Sequence, residues 1–507
     1  MRSSKAINES EITRSFRVSE NLQKKEGIMI SNLLISKSVI NTKVGVRFVN
    51  TRILHSGAWE GSCRIGDPKD LTYESEKKTL EEQLLNLKQS LKSGLLPPEV
   101  ELIEPISIHS WAEKGNPDIV LPQDQINLLK EDDKKVDVYV VSHPYEGLKI
   151  AEYYKKPVII MQKQGWAVDM PAAIRSLGIP SFHAEDMNTV FDFIRLFMVK
   201  KAFKQTKLLN VTNFPKRVPW GVVSSVTDLD FLKDRYGMDY KYLDYKEFFG
   251  AMDKIVKEES IQKEADKITS VLIDNAVNNN MTKEDVKNSV LFYLVTSKIM
   301  SEFECNAFTI ECFELCTSLN PWERRFTPCL THALLKDDGY PSACEGDINA
   351  LLAMMVEMYL SRKAVYMGNP NIDKKNNILN IHHSVASLKM RGIDSDASSY
   401  EIHSFTKSGF GVTLRHDFNK DIGETVTIGR FDPSGTKMLV TKGRIIGGGG
   451  LTGYNCAQNI NVEIPNGYEF WRESQNFGHH LALVYGDYVN KIRDLGDLMN
   501  FEVVSII

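Results

Sequence analysis

Apolar residues in the first part of the chain follow two alternating periods. Short runs of β-branched and aromatic residues at 43–49, 136–141 and 157–161 are typical of buried strands. Between them, residues 80–91 carry leucines three or four positions apart, which predicts an amphipathic helix, and residues 146–154 predict a shorter one. The alternation of strand and helix predicts a parallel α/β layer.

A second unit of the same kind follows. Residues 207–211 predict its first strand, and residues 245–303 form a helix-rich stretch with an apolar core segment. Residues 307–312 predict another strand. The Cys344-Glu345-Gly346-Asp347 tetrapeptide then stands at the predicted start of an apolar helix that runs to Leu360.

The last third of the chain changes to short alternating segments with many glycines, which predicts a β-rich region of barrel or sandwich type. Residues 447–450 are four consecutive glycines and are predicted to form a loop, because no helix follows them as in a dinucleotide site. The strand candidates are 409–414, 424–430, 437–446 and 460–464.

The predicted fold class is therefore α/β, with two Rossmann-like α/β domains followed by a mostly β C-terminal domain. The predicted boundaries are a polar N-terminal arm at 1–40, for which disorder is one alternative, an N-terminal α/β domain at 41–206, a second α/β domain carrying Glu345 at 207–378, and a β-rich domain carrying His480 at 379–507.

Composition excludes several classes of partner. The formal net charge of −4 over 507 residues provides no basic field for nucleic acid. The apolar runs have the length of strands and not of membrane spans. Seven scattered cysteines without a Cys-x-x-Cys pair, and an N-terminal segment without the apolar core of a signal peptide, predict a cytoplasmic protein.

Two clusters carry candidate chemistry. Glu345 and Asp347 are two positions apart, so they do not stack on one helical face and only one is expected to point straight into a site. His479 and His480 open a distant apolar segment. Carboxylate and imidazole together suit Mn²⁺ or a similar divalent ion, whereas a carboxylate that opens a helix can also be a simple cap.

These clusters sit in a longer pattern that resembles the L-fucose isomerase family, which shares its C-terminal architecture with L-arabinose isomerase. The resemblance is strong over residues 300–507 and faint before them. It rests on the stretch from Thr327 to Asn369, on Ile381-His382-His383, on Gly429-Arg430-Phe431-Asp432-Pro433-Ser434-Gly435, and on Gly478-His479-His480 followed by Tyr485-Gly486-Asp487.

The resemblance implies an aldose–ketose isomerase whose divalent ion, Mn²⁺ with Mg²⁺ or Co²⁺ as alternatives, is held by a Glu, an Asp and a His. Glu345 and His480 match the Glu and the His, but the expected Asp falls on Asn369. An Asn carbonyl oxygen can coordinate a cation, but it adds no charge and cannot act as a base. The implied metal ligands are Glu345, Asn369 and His480, and the implied catalytic residues are Glu345, Asn369 and His382.

The substrate-binding candidates are Trp166, Asp347 and His479, and each of them, like the catalytic candidate His382, has a structural alternative. His382 is either an assisting imidazole or a hydrogen-bonded loop residue. Asp347 either caps the helix or orients Glu345, and His479 is expected beside the ligands and not among them. Trp166 forms either a sugar-stacking wall in a neighbouring subunit's site or part of the core.

The predicted partner is a monosaccharide or a derivative of one. The resemblance further implies a homo-oligomer, trimer or hexamer, in which the first domain of one subunit covers the site of another. Two other functions stay open: an epimerase or other altered chemistry on the same scaffold, favoured if Asn369 occupies the Asp position, and a catalytically silent sugar-binding protein.

Overall fold

The structure of the protein is a computed structural model that combines parallel α/β sheets with a closed β-barrel. Residues 1–36 of the predicted arm and Cys63 lie outside the part that it describes, which comprises residues 37–55, 72–94, 96–113, 118–215, 225 and 228–507.

The first sheet has the strand order β3-β2-β1-β4-β5-β6. Its pairs are parallel except β2 with β3. The strands are β1 (Val44–His55), β2 (Val100–Ala112), β3 (Ile119–Val120), β4 (Val138–Val141), β5 (Val158–Met161) and β6 (Ser181–Ala184). The α-helices of this layer span Tyr73–Ser93, Gln123–Asn127, Pro144–Tyr154, Asp169–Ser176 and Met187–Gln205, and short 3₁₀ turns span Val39–Asn41, Lys130–Asp132 and Gly165–Val168.

The second sheet has the order β11-β10-β7-β8, and all its pairs are parallel. Its strands are β7 (Lys207–Val211), β8 (Asp239–Leu243), β10 (Ala307–Ile310) and β11 (Ser342–Cys344). The accompanying helices span Leu229–Tyr236, Tyr245–Ile255, Glu259–Asn275, Lys283–Glu302, Cys312–Thr317, Asn320–Arg324, Cys329–Asp337 and Ile348–Ser361. The short strand β9 (Asn278–Asn279) joins a separate small sheet with β14 (Glu401–Ser404) and β15 (Val412–Arg415).

Antiparallel strands of the C-terminal region close into a ring in the order β16-β19-β12-β13-β18-β17, because β17 also pairs with β16. The final strand β20 extends this ring by pairing parallel to β17. The ring contains β12 (Tyr366–Asp373), β13 (Ile378–His382), β16 (Thr425–Phe431), β17 (Lys437–Gly449), β18 (Asn459–Glu463) and β19 (Leu481–Tyr485), and it is flanked by β20 (Glu502–Ile506), helices Gly467–Ser474 and Val489–Met499, and a 3₁₀ turn at Phe418–Asp421.

The core explains how these parts hold together. Helix Ile348–Ser361 is buried along almost its whole length, and it packs between the first layer and the outer face of the barrel. The barrel interior is filled by apolar residues that alternate along the strands, such as Leu379, Ile381, Ile460 and Val462. This helix therefore fixes the second sheet against the barrel.

The predicted mixed α/β fold with a β-rich C-terminal region is confirmed, whereas the Rossmann-like classification of the two sheets and the domain boundaries stay predictions. Two local predictions are wrong. Glu345 does not begin a helix, since the helix begins at Ile348, and Gly447–Gly449 continue strand β17 instead of forming a loop. Among the described residues, no helix is both long enough and apolar enough to cross a membrane.

Candidate active site

Glu345 lies in the turn that follows strand β11, at the carboxyl edge of the second sheet. Its backbone has φ 60° and that of Gly346 has φ 65°, so a non-glycine residue occupies the left-handed region. This conformation is uncommon and costs about 1 kcal/mol or more, and such strain is often found at functional sites. Asp347 then ends the turn, and its Oδ1 accepts the Ala350 N–H at 2.9 Å to cap the helix that follows.

Two buried imidazoles face the Glu345 carboxylate. His383 Nε2 lies 3.4 Å from Oε1, and His480 Nε2 lies 3.4 Å from Oε2. Within the described part of the chain, neither Nε2 atom has a hydrogen-bond partner, although both are buried. Burial alone would raise the pKa of Glu345, but the two imidazoles hold it below its ordinary value. Glu345 is therefore ionised at neutral pH.

The tautomer of His480 is set by Asp347. His480 Nδ1 lies 2.9 Å from Asp347 Oδ2, and the side chains of both residues are fully buried. The same oxygen accepts a hydrogen bond from Arg430 at 2.7 Å. A carboxylate can only accept, so Nδ1 carries a proton, which leaves Nε2 as the nitrogen that a bound ion could take. A histidine ligand held by a carboxylate in this manner is a common feature of metal sites.

In His383 the hydrogen bonds place the ring proton on the other nitrogen, Nε2. The Ser384 N–H donates to its Nδ1 at 3.0 Å, so in the neutral ring the proton resides on Nε2 and faces Glu345. The Cys456 thiol lies 3.7 Å from the same Nδ1. His480 is therefore prepared as a metal ligand, whereas His383 is prepared as a hydrogen-bond donor to Glu345.

Two further side chains complete a cluster with metal-ligand spacing. His479, on the exposed rim, groups with Glu345 and His480, and buried Cys344 groups with Glu345 and His383; in each group the ligand atoms lie within 4.8 Å of one another. Oxygen and imidazole donors suit Mn²⁺ and similar ions. A buried, ionised carboxylate beside a buried imidazole nitrogen that lacks a hydrogen-bond partner among the described residues fits such an ion, with Glu345 and His480 as its first ligands.

Asn369 lies on strand β12 near this cluster. The Cys344 N–H donates to Met367 Sδ at 3.4 Å, so the Met367 side chain points toward the Glu345 turn. Asn369, two residues later, is on the same face of the strand. Its neighbour Gly368 is paired with Leu481, the residue after His480. The strand register thus directs Asn369 toward the rim of the cluster, beside the His480 end of β19.

His382 is the cross-strand partner of Asn369 on β13. Its Nδ1 lies 3.4 Å from Asn371 Nδ2. Partial burial, together with the proximity of His383 and His480, lowers the pKa of His382. His382 is therefore beside the cluster, on the outer face of the barrel. His383, the next residue, is the one whose side chain faces Glu345.

Trp166 lies apart from these residues in the first layer. Its side chain is 56% exposed, which excludes the core alternative, and its ring centroid is 6.5 Å from that of His143. His143 in turn holds buried Glu146 through Nδ1 at 2.7 Å. Within one chain the structure groups Trp166 with His143 and not with Glu345.

His383 and Arg430 are site residues that the sequence analysis did not assign. Both were within the quoted motifs, in Ile381-His382-His383 and in Gly429-Arg430-Phe431. Arg430 is fully buried and donates to the carbonyl oxygens of Phe477 at 2.5 Å and His480 at 2.8 Å, so it positions the segment that carries the two histidines. A charged residue inside an apolar strand pattern was the available signal for it.

The structure thus combines α/β sheets with a closed barrel and places a buried cluster of carboxylate and imidazole side chains where they meet. Sulfoquinovose isomerases of Priestia aryabhattai and Priestia megaterium are each 26% identical over 392 residues, which cover 70% of this chain and 81% of theirs. A sulfoquinovose isomerase of Alkalicoccus urumqiensis is 27% identical over 322 residues, covering 61% of this chain and 68% of its own. No family model matches the chain.

These similarities confirm the resemblance to the sugar isomerases that the sequence motifs indicate. The chain is an enzyme of the aldose–ketose isomerase type.

Proposed function

We propose that this enzyme interconverts an aldose and its ketose by metal-assisted proton transfer between C1 and C2, through an enediol. The observation that carries the proposal is the arrangement around Glu345, whose two carboxylate oxygens each face a buried imidazole nitrogen at 3.4 Å. A site that only binds sugar has no need for an ionised carboxylate beside a histidine whose tautomer is fixed for coordination.

Glu345 and His480 would hold the divalent ion, with the Asn369 carbonyl oxygen and His479 as further donors at the rim. Bound there, Mn²⁺ would supply Lewis-acid polarisation of the substrate carbonyl. Asn369 contributes no charge, so this ligand set carries one anion fewer than the resemblance implies. We therefore expect weaker Mn²⁺ binding than a site with two carboxylates would give.

The proton transfer is assigned to Glu345, assisted by His383. Glu345 would accept the proton from the carbon next to the carbonyl, because the facing imidazoles keep its carboxylate ionised. His383 Nε2–H faces the same carboxylate and would hold it in place, while the proton taken from one carbon stays on Glu345 until it is returned to the other. His382 stays a candidate for contact with the substrate hydroxyls and not for the transfer itself.

The substrate class follows from the relatives. We propose a monosaccharide or a derivative, with the sulfonated sugar sulfoquinovose as the first candidate because the matched enzymes act on it. We also propose a homo-oligomer in which the first sheet of one subunit, with exposed Trp166, covers the site of another. The six cysteines among the described residues are all free thiols, which supports a reducing cytoplasmic location.

The test is a panel of sulfoquinovose, D-glucose, L-fucose and L-arabinose incubated with the purified protein and Mn²⁺. Ketose formation is measured after removal of metal with a chelator and again after Mn²⁺ is restored. Ketose that appears only with restored metal supports the proposal. An epimeric aldose in place of a ketose would assign the protein to the epimerases, and unchanged turnover after metal removal would contradict the metal-assisted mechanism.

A further inference from the structure

A cavity of about 400 Å³ lies at the carboxyl edge of the first sheet, and we call it the first-sheet cavity. Strand β1 pairs with β2 on one side and with β4 on the other, so the order of the strands changes direction at β1. Ligands of open parallel sheets bind outside the carboxyl ends of the strands at such a point. The cavity lies there, because it is lined by the ends of β1 and β5 and by Ser142 and His143, which follow β4. Its volume is within the range of small-molecule sites.

Most side chains that line this cavity are polar. Gln83, Ser142 and Gln162 supply amide and hydroxyl groups, which can both donate and accept hydrogen bonds. Arg52 adds a cation, and His143 adds an imidazole. The lining therefore suits a hydroxylated ligand better than an apolar one.

His143 is held by a buried carboxylate. Its Nδ1 lies 2.7 Å from Glu146 Oε2, and the Glu146 side chain is fully buried whereas that of His143 is 29% exposed. An ionised Glu146 can only accept, so Nδ1 carries a proton, and in the neutral ring Nε2 is the nitrogen that can take up another. A carboxylate behind an imidazole whose other nitrogen is free to react is the arrangement that orients catalytic histidines.

A helix cap does not account for this pair. His143 and Glu146 stand at the start of helix Pro144–Tyr154, but the His143 side chain makes no capping hydrogen bond there. Glu146 Oε1 has no hydrogen-bond partner among the described residues, although the residue is fully buried. Burial of an incompletely paired carboxylate costs free energy, and a solvent-exposed acidic residue would stabilise the helix start without that cost.

Two neighbouring groups suit a sugar with an anionic substituent. The exposed Trp166 ring, whose centroid is 6.5 Å from that of His143, offers an apolar face at the side of the imidazole. Arg52 Nε is buried without a hydrogen-bond partner within the described part of the chain, and Arg52 Nη2 is 3.9 Å from Glu76 Oε1. Glu76 Oε2 is held by the backbone N–H and the imidazole of His55. Arg52 is thus left with donors for a sulfonate.

We propose that the first-sheet cavity binds the ring form of the aldose and that His143, positioned by Glu146, opens the ring. The neutral imidazole takes the proton of the anomeric hydroxyl at Nε2, and the C1–O5 bond breaks as the C1=O1 double bond forms. The imidazolium then returns the proton to O5. Because O1 and O5 start on the same carbon, one nitrogen reaches both, and no proton is gained or lost. Glu146 stabilises the imidazolium between the two transfers.

His143 is therefore a catalytic residue and Glu146 a positioning residue. This inference rests on the proposed function, because the enediol step consumes the open-chain aldose that ring opening supplies. The ring opening itself requires no proton transfer between C1 and C2, so it can be measured separately.

The experiment follows the interconversion of the α and β anomers of 2-deoxy-D-glucose by polarimetry. Each interconversion requires one ring opening, and a sugar without a C2 hydroxyl cannot become a ketose. The full-length protein is used with Mn²⁺ present. His143→Ala is compared with the wild type and with His403→Ala, whose imidazole also pairs with a glutamate, at 2.8 Å from Glu401 Oε2 on β14. Circular dichroism verifies folding, and His143→Gln, which keeps a donor for Glu146, is the second variant.

The wild type and His403→Ala should accelerate the interconversion. Both His143 variants should reduce the protein-catalysed rate by at least about 100-fold, the usual contribution of a general base. Imidazole added to the buffer should restore saturable catalysis to His143→Ala, which a structural role would not permit. Glu146→Gln should lower kcat and leave KM unchanged. No acceleration by the wild type, or a full rate in folded His143→Ala, would overturn the proposal.

Sulfoquinovose at anomeric equilibrium tests Arg52 in the same assay, as a competitor of 2-deoxy-D-glucose. Arg52→Gln should weaken this competition about 10- to 100-fold, the usual effect of one charge-assisted hydrogen bond, and should leave the KM for 2-deoxy-D-glucose unchanged. Equal competition in Arg52→Gln and the wild type would overturn the assignment of the sulfonate to Arg52.

Failure of this inference is distinguishable from failure of the proposed function. Ketose formation from the sugar panel without accelerated anomer interconversion would overturn the role of His143 and leave the isomerase intact. Interconversion that depends on His143, in a protein that forms no ketose from any sugar of the panel, would support the ring opening and overturn the isomerase.

Discussion

Asp347 Oδ2 lies 2.9 Å from His480 Nδ1, although the two residues are 133 positions apart in the chain. The same carboxylate caps helix Ile348–Ser361 through Oδ1 and forms an ion pair with buried Arg430 at 2.7 Å. One side chain therefore links the start of that helix, a barrel strand and the histidine that faces Glu345.

Asp347→Asn should reduce both stability and metal affinity. The change removes the carboxylate that faces Arg430, and loss of one partner of a buried ion pair costs about 3–5 kcal/mol. It also frees the tautomer of His480, which should weaken Mn²⁺ binding about 10- to 100-fold. Urea unfolding and Mn²⁺ titration measure the two effects. Asp487→Asn, whose pairing with Lys442 is half-exposed, is the control and should cost less than about 1 kcal/mol. Wild-type stability in Asp347→Asn would contradict the role of this carboxylate.

Glu345→Gln preserves the volume of the side chain but removes the charge that accepts the proton. Ketose formation should decrease by at least about 100-fold, the usual contribution of a general base. The measurement is initial rate at saturating sugar with Mn²⁺ present, with folding verified by circular dichroism. Glu323→Gln, on an exposed helix, is the matched control and should retain full activity. Wild-type turnover in folded Glu345→Gln would exclude Glu345 from the reaction.

Comparison of His480→Ala with His479→Ala tests which of the two neighbouring histidines binds the metal. His480 Nε2 is buried and faces Glu345, whereas His479 lies on the exposed rim, so His480→Ala should lose more Mn²⁺ than His479→Ala. Metal retained after dialysis, determined by elemental analysis, is the measurement. If both variants retain as much metal as the wild type, His480 has only a structural role.

Asn369→Asp should tighten Mn²⁺ binding, because it adds an anionic oxygen at the rim of a partly desolvated site. Isomerase activity should increase with it if metal occupancy limits the wild type. Titration of Mn²⁺ into both proteins measures the effect. Unchanged affinity, with stability within about 0.5 kcal/mol of the wild type, would place Asn369 outside the metal shell.

The stability of the protein at low pH should depend on Asp421, a buried residue at the end of the 3₁₀ turn Phe418–Asp421. It accepts hydrogen bonds from Tyr485 at 2.7 Å and Arg391 at 2.6 Å, and His416 Nε2 lies 2.5 Å away. Burial opposes ionisation, but these partners lower its pKa to about 2. The folded-state pKa lies below the unfolded value of about 3.9, so the contribution of about 2 kcal/mol is present above pH 4 and is lost as the pH falls toward 2.

The measurement is the difference in unfolding free energy between wild type and Asp421→Asn, at pH 5 and at pH 2.5. Other carboxyl groups titrate equally in both proteins and cancel in the difference. The difference should be smaller at pH 2.5. A difference independent of pH would show that Asp421 is not ionised in the folded protein.

Hydrophobic periodicity predicted only part of the strands and helices, namely those such as 207–211 and 80–91 that carry the burial pattern in their own sequence. It failed where tertiary contacts decide. Gly447–Gly449 have no side chains to show a pattern, and the pairing with β18 alone makes them a strand. His383 faces Glu345 and His382 lies on the outer face of the barrel because strand β13 ends at His382. The sequence His-His alone does not show where the strand ends.

Glu345 and His480 were proposed as ligands from the resemblance to the isomerase family, because both of its motifs occur in the sequence in the expected order. The partnership of Asp347 with Arg430 was not, because nothing local in the sequence relates residues on different elements. The choice between Asn369 as ligand and as bystander also depends on register, since its direction follows from Met367 and Gly368 on the same strand.

The long sequence separation between Asp347 and His480 has a consequence for synthesis of the protein. A chain still emerging from the ribosome can complete both parallel sheets, yet helix Ile348–Ser361 then has no barrel to pack against and Arg430 has not yet met the His480 segment. Such a nascent chain exposes one of the most apolar helices of the protein until the last barrel strands arrive. The candidate site therefore cannot assemble before the segment that carries His480 has been synthesised.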